Sequence, residues 1–114
     1  MQMLISNRPG DSIEVALARS RAARVRGLIR TNGVGRGKGL LLKGKQVHTF
    51  GMSYAIDVVH LAGDGSILEV ATMRPFRLGR WRRRAKWILE LDAGEANRLG
   101  LVPGVVLERT DRIK

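Results

Sequence analysis

From Ile13 to Ala18 the chain alternates: Ile13, Val15 and Leu17 face one way, Glu14, Ala16 and Ala18 the other, the pattern of a half-buried strand. The period then changes. Ser20 stands as an N-cap, and Ala22, Val25, Leu28 and Ile29 share one stripe of a short helix over Arg21–Arg30, with Arg24 and Arg30 turned away. Asn32–Gly39, NGVGRGKG, is a loop by composition. Leu40–Leu42 and Gln46–Phe50 read as strands on either side of Gly44-Lys45. Ile56–Ala62 and Ser66–Met73 are β-branched runs joined at Gly63-Asp64-Gly65, the clearest hairpin signal in the chain. Arg74–Arg84 is a basic loop opening at Pro75, whose missing N–H ends the preceding ladder. Ala85–Leu91 is the next strand. Asp92-Ala93-Gly94-Glu95 then puts an acceptor at the N-cap and a carboxylate at N3, a variant capping box that starts a helix ending at Gly100. Val105–Glu108 is the last strand. Many short strands with two short helices predict a mainly β domain (α+β by content), a compact antiparallel β sandwich or small barrel. No repeat or linker divides residues 1–114, so a single domain is expected.

Several segments carry a further signal: Val47–Leu68, VHTFGMSYAIDVVHLAGDGSIL; Ile88–Gly104, ILELDAGEANRLGLVPG; Arg26-Gly27-Leu28-Ile29; and Gly39-Leu40-Leu41. In these the chain resembles the small bacterial and archaeal family called domain of unknown function 192. The resemblance implies a compact, mainly β domain, and leaves the activity unassigned. The chain departs from the family pattern at Arg80–Arg84, where a short small-residue stretch is usual, and at Gly104-Val105, where Gly-Asp is common. It also has His48-Thr49-Phe50-Gly51-Met52 in place of a Trp-Met-Lys-Asn type segment, which bears on any site carried over through that loop.

Composition narrows the classes. With 114 residues and 44% hydrophobic content the chain is too apolar for disorder and able to bury a core. Zero cysteines exclude disulfides, thiolate metal sites and cysteine nucleophiles. No apolar run approaches the roughly 20 residues of a membrane span, and MQMLISNRPG is too short in its apolar stretch for a secretory leader, so a cytoplasmic location is expected. The net charge is +11, and its distribution is uneven. Nine Arg or Lys and no acid lie between Glu14 and Asp57, and seven bases and no acid between Glu69 and Glu90. Such blocks create a positive field over part of a surface, or simply a solvated one.

Candidate chemistry is sparse. The Gly-rich loop fails as a P-loop, because Asn32 stands at the leading glycine position and Gly39 at the hydroxyl position. It fails as a dinucleotide fingerprint too, with Lys38 or Leu40 where a glycine is needed. Its glycines beside Arg36 and Lys38 could still form a backbone nest for an anion. His48, Asp57 and His60 are the residues available to a divalent metal, but Asp57 and His60 differ by three positions and leave opposite faces of one strand. Only two protein ligands result, so no metal or other cofactor is expected. Asp57 lies in an apolar strand, where an unpaired carboxylate costs several kcal/mol. Either a structural partner or a ligand has to satisfy it. Gly51-Met52-Ser53-Tyr54-Ala55 lacks the second glycine of a nucleophile elbow, and no catalytic residue is assigned.

The segment Phe76–Trp87, FRLGRWRRRAKW, interleaves three aromatics with five arginines and a lysine, which suits phosphate neutralisation and base stacking. Trp87 belongs to a strand, leaving Trp81 free. The expected role is a non-enzymatic module that binds an anionic partner, nucleic acid or an acidic protein, through Arg77, Arg80, Trp81, Arg82, Arg83 and Arg84. Two other roles stay open: a small-molecule-binding protein or enzyme with a cleft at His48, Thr49, Met52 and Asp57, and a structural or assembly protein without a ligand.

Overall fold

A computed structural model describes residues 1–18 and 33–110. The helix expected over Arg21–Arg30 lies outside them. Seven strands form one sheet: β1 (Gln2–Ile5), β2 (Ser12–Leu17), β3 (Lys38–Lys43), β4 (Ile56–Leu61), β5 (Ile67–Met73), β6 (Trp87–Asp92) and β7 (Leu107–Thr110). Helix α1 is the single turn Glu95–Arg98. The strand order is β5-β4-β6-β3-β2-β1-β7, curled into a half-barrel. Mainly β is therefore correct. A second short helix is not found among the described residues, and the sheet is not purely antiparallel, because β2 and β3 run parallel. The long stretch from Ala18 to Gly37 allows that crossover, which a tight turn could not make.

Strand β1 escaped the sequence pattern although Met3 and Ile5 alternate inward like the residues of β2. The expected strand over Gln46–Phe50 is instead an irregular segment, joined to the rest among the described residues by the isolated bridge of His48 to Leu78. At the other end of the curl β7 approaches the β4–β5 turn. The amide of Leu107 donates to the Gly65 carbonyl at 2.8 Å, and that of Ile67 to Val105 at 2.8 Å.

Strand β4 is buried along its whole length. Its Val59 and Leu61 face an inner core with Met3, Ile13, Leu41 and Leu89, closed by Ala96, Leu99 and Leu101. Its Ile56 and Val58 face a second, outer cluster with Leu42, Ile88, Val47 and Met52. That outer cluster is covered by the loop between β3 and β4, so a near-continuous apolar strand is what its position requires.

Candidate functional site

Asp57 lies on the inner face of β4 and is 2% exposed. Its Oδ1 accepts the Thr72 hydroxyl at 2.7 Å, and its Oδ2 accepts the amides of Gly94 and Ala96, each at 3.0 Å. The carboxylate thus caps the start of α1 from a neighbouring strand and fastens it to β4 and β5. The capping box expected at Asp92–Glu95 does not form. Gly94 is the N-cap, in a left-handed conformation, and no side chain of the helix's own segment caps it.

Asp92 and Glu95 turn instead to the Gly-rich loop. Asp92 accepts the amides of Val34 at 2.6 Å and Gly35 at 3.0 Å, and Glu95 accepts that of Gly37 at 2.7 Å. The loop amides that could have formed a nest for an external anion are bonded to the protein's own carboxylates. Glu95 also receives two bonds from Arg98, at 2.6 and 2.7 Å. Arg98, then the Gly37 amide, hold its carboxyl at about 2, far below the ordinary 4.5.

The other three residues of the expected cleft occupy the β3–β4 loop. Met52 is buried in the outer cluster. Thr49 is fully buried: its hydroxyl donates to the Arg74 carbonyl at 2.6 Å and accepts the Arg77 amide at 2.8 Å. His48 stacks on Phe50 at 5.0 Å, and its Nδ1 accepts the Phe50 amide at 3.3 Å. These three share one loop. Asp57, bonded to α1 and β5, belongs to the opposite face of the sheet.

The loop serves as a bed for the segment that follows β5. The Thr49 amide donates to Arg77, that of Phe76 to Thr49, that of Gly79 to Val47 and that of Arg82 to Lys45, at 2.8 to 2.9 Å. Lys45 adds Nζ bonds to the carbonyls of Arg83 at 2.9 Å and Ala85 at 2.8 Å. Residues 74–86 therefore form a strap fixed by its backbone, with Ala85 buried and most of its other side chains exposed. Phe76 is 61%, Leu78 62% and Trp81 63% exposed, three large apolar groups that neither core uses. Phe76 also holds φ at 59°, a left-handed conformation that costs a bulky residue on the order of 1–3 kcal/mol. Trp87, by contrast, packs against the inner core, with the Arg109 guanidinium 6.0 Å from its ring centre.

Among the arginines of the strap, Arg82 is committed. Its Nε donates to the Glu69 carboxylate, which draws the Glu69 carboxyl down and the guanidinium up. Arg77 bends back to the carbonyls of Pro75 and Phe76, at 3.3 and 3.4 Å. The side chains of Arg80, Arg83 and Arg84 make no hydrogen bond or ion pair among the described residues.

Beside the Arg82–Glu69 pair lies His60, on the outer face of β4, opposite Asp57 as strand parity requires. It is 3% exposed, and neither ring nitrogen has a hydrogen-bond partner among the described residues. Desolvation lowers its pKa below 6.5, helped by Arg82 and opposed by Glu69. Folding therefore favours the neutral ring. The unfolded chain binds the extra proton as pH falls below 6.5, so stability is full above that value and declines below it. The Glu69 and Glu95 carboxyls are both lowered from 4.5 and weaken the fold only under more acidic conditions. Thermal melts between pH 7 and pH 5 should show a falling midpoint in the wild type and a flat one in His60→Leu. Equal slopes would remove His60 as the cause.

No group of three or more His, Cys, Asp or Glu side chains among the described residues could hold a metal ion. Likewise, no helix there is long and apolar enough to cross a membrane. The model of one protein family, DUF192, described as an uncharacterized ACR, matches residues 3–109. No curated protein matches the chain. Two solved structures share the fold. One is a protein of unknown function from Novosphingobium aromaticivorans DSM 12444, with a TM-score of 0.76 at 19% identity over 95% of this chain and 84% of that one. The other is a candidate transcription regulator from Sinorhizobium meliloti 1021, with a TM-score of 0.75 at 23% identity over 94% of this chain and 89% of that one.

Proposed function

We propose, from the premise that this chain belongs to the DUF192 family of uncharacterized proteins, that it is a binding module whose strap over residues 74–86 engages single-stranded nucleic acid. One observation carries the reading: Trp81 is 63% exposed, and the side chains of Arg80, Arg83 and Arg84 beside it make no ion pair among the described residues. Charge at this density is costly to gather on a small surface unless an anion offsets it, and an exposed indole offers a stacking face for a base. The strap's backbone bonds support the reading, because a surface ordered in advance loses little entropy on binding. Arg82 takes no part in charge recognition here; it anchors the strap to β5 through Glu69.

The test is fluorescence anisotropy of labelled single-stranded and duplex oligonucleotides at several salt concentrations. If Arg77, Arg80, Arg83 and Arg84 each neutralise a phosphate, log K against log salt falls with a slope of about −3 on a single strand. Trp81→Ala weakens single-strand binding by roughly 1–3 kcal/mol while the fold is kept, since Trp81 is 63% exposed and belongs to neither core. Salt-insensitive binding, or none at low salt, would reduce the +11 charge to surface composition. An acidic protein in place of a nucleic acid would show the salt slope without the Trp81 dependence on oligonucleotides.

A further inference from the structure

Strand β5 ends the sheet, and part of its outer edge has no partner among the described residues. The amide of Ala62 donates to Ser66 across the β4–β5 turn, so by alternation His60, Val58 and Ile56 turn their backbone groups to β5. Glu69, Ala71 and Met73 stand opposite them, which leaves the N–H and C=O of Val70 and Thr72 directed away from the sheet. The ladder's register shift lies between His60 and Leu61, on the turn side of these residues. Nearer the turn the edge is already used: the Ile67 amide donates to Val105 at 2.8 Å, and its carbonyl accepts the Gly104 amide at 2.9 Å.

A trench of about 520 Å³ touches Leu68, Glu69 and Val70 in succession, with Arg82–Arg84 and Pro103 beside it. Successive strand residues point to opposite faces, so a space that meets three in a row lies over the edge rather than over either face. Arg82 is held by Glu69, while the side chains of Arg83 and Arg84 are exposed and make no ion pair among the described residues. Proteins usually blunt a free edge with proline, charge or a bulge. From Val70 to Met73 this strand has neither a proline nor a charged residue.

The chemistry of the trench selects among occupants. A second copy suits it poorly: each chain carries +11, and pairing β5 with β5 about a two-fold brings two sets of Arg82–Arg84 together. A nucleic acid strand neutralises arginines but has no ladder of N–H and C=O groups to match Val70 and Thr72. An extended peptide has that ladder, and carboxylates on it offset Arg83 and Arg84.

We propose that the free edge of β5 takes an extended acidic peptide as an added strand, its backbone paired with Val70 and Thr72 and its carboxylates facing Arg83 and Arg84. This goes beyond the nucleic-acid reading, since it uses the strand edge and needs no stacking on Trp81. Side chains alternate along an added strand, so the fitting sequence places acids at every second position, with apolar residues between them to meet Leu68 and Pro103.

The probe is a labelled decapeptide of alternating Glu and Val, followed by anisotropy with the full chain. Two further versions are N-methylated at every Glu or at every Val. In an extended strand all residues of one side-chain face turn their N–H the same way. One methylated version should therefore lose about ten-fold or more in affinity, while the other stays within about three-fold of the parent. Purely electrostatic attachment treats the two alike, so equal binding by both, tight or weak, would overturn the proposal. The double substitution Arg83→Ala, Arg84→Ala changes exposed side chains and should weaken the parent peptide about ten-fold with the fold kept; unchanged affinity counts against the proposal. Sedimentation of the free chain should show a monomer, and a dimer that excludes the peptide would assign the edge to a second copy instead. If an oligonucleotide binds and the peptide does not, this proposal falls and the strap reading stands. The reverse result overturns the strap reading alone.

Discussion

Asp57→Ala is expected to lower the unfolding free energy by roughly 3–5 kcal/mol, with a fall of about 10–20 °C in Tm. The carboxylate accepts three bonds in a buried setting, from the Thr72 hydroxyl and from the amides of Gly94 and Ala96. Removing it strands two backbone donors at the start of α1, where a helix of one turn has no side-chain cap of its own. The damage should spread, because Ala96, Leu99 and Leu101 close one end of the inner core. Asp57→Asn keeps the shape but places an amide where only acceptors fit, so roughly half the loss is expected. A ligand-binding Asp57 would behave in the opposite way, with stability nearly unchanged and binding abolished. Chemical denaturation of the two variants decides between these outcomes, and a midpoint within about 1 °C of wild type for both would refute the capping role.

The contrast between Asp57 and Asp92 shows where the sequence stops being legible. Local spacing points to Asp92 as the cap, since Asp92-x-x-Glu95 has the right residues at the right interval. The structure gives the cap to a residue far upstream, because β4 and β6 are neighbours and Asp57 pairs with Leu91 across them. Asp92 and Glu95 are then available to hold the amides of the Gly-rich loop. Nothing in local periodicity encodes such exchanges. Parity, which is local, did carry: Asp57 and His60 leave opposite faces of β4, and the alternating residues around them divide between the two cores.

The aromatic-basic segment was legible as composition but not as architecture. Pro75 and the run of arginines identify a loop, and Trp87 belongs to a strand while Trp81 stays exposed, as the pattern indicates. What the sequence does not reveal is that the irregular stretch around Val47 and Thr49 supplies the backbone partners that fix the strap. Those bonds join segments some thirty residues apart without regular strand geometry, so no period-two signal marks them. His60 is similar. Its place in an apolar strand suggests a satisfied core histidine, and only the tertiary structure shows that its nearest carboxylate is bound to Arg82.

Gly65→Ala should be nearly as damaging as the loss of Asp57, at roughly 3 kcal/mol or more, and for a reason outside the turn it occupies. Within the β4–β5 hairpin its φ of 90° favours glycine, which for a non-glycine residue costs on the order of 1–3 kcal/mol. A methyl group there would also be driven into the backbone carbonyl of Leu107, which cannot rotate away as a side chain could. That carbonyl belongs to β7, and the Leu107 amide donates back to Gly65 at 2.8 Å. Relief of the clash therefore means drawing β7 away from the β4–β5 turn and opening the curl of the sheet. Two nearby controls separate the terms. Gly10→Ala meets a closely similar φ, 94°, with nothing within 4 Å, and isolates the backbone cost. Gly63→Ala, in the same turn, meets only the flexible Lys86 side chain, at 3.2 Å, and should cost about 1 kcal/mol or less. Hydrogen exchange should show the amides of Ile67 and Leu107 losing protection in Gly65→Ala and in neither control. If Gly65→Ala costs no more than Gly10→Ala, the closure between β7 and the β4–β5 turn contributes little, and the half-barrel is held by its cores alone.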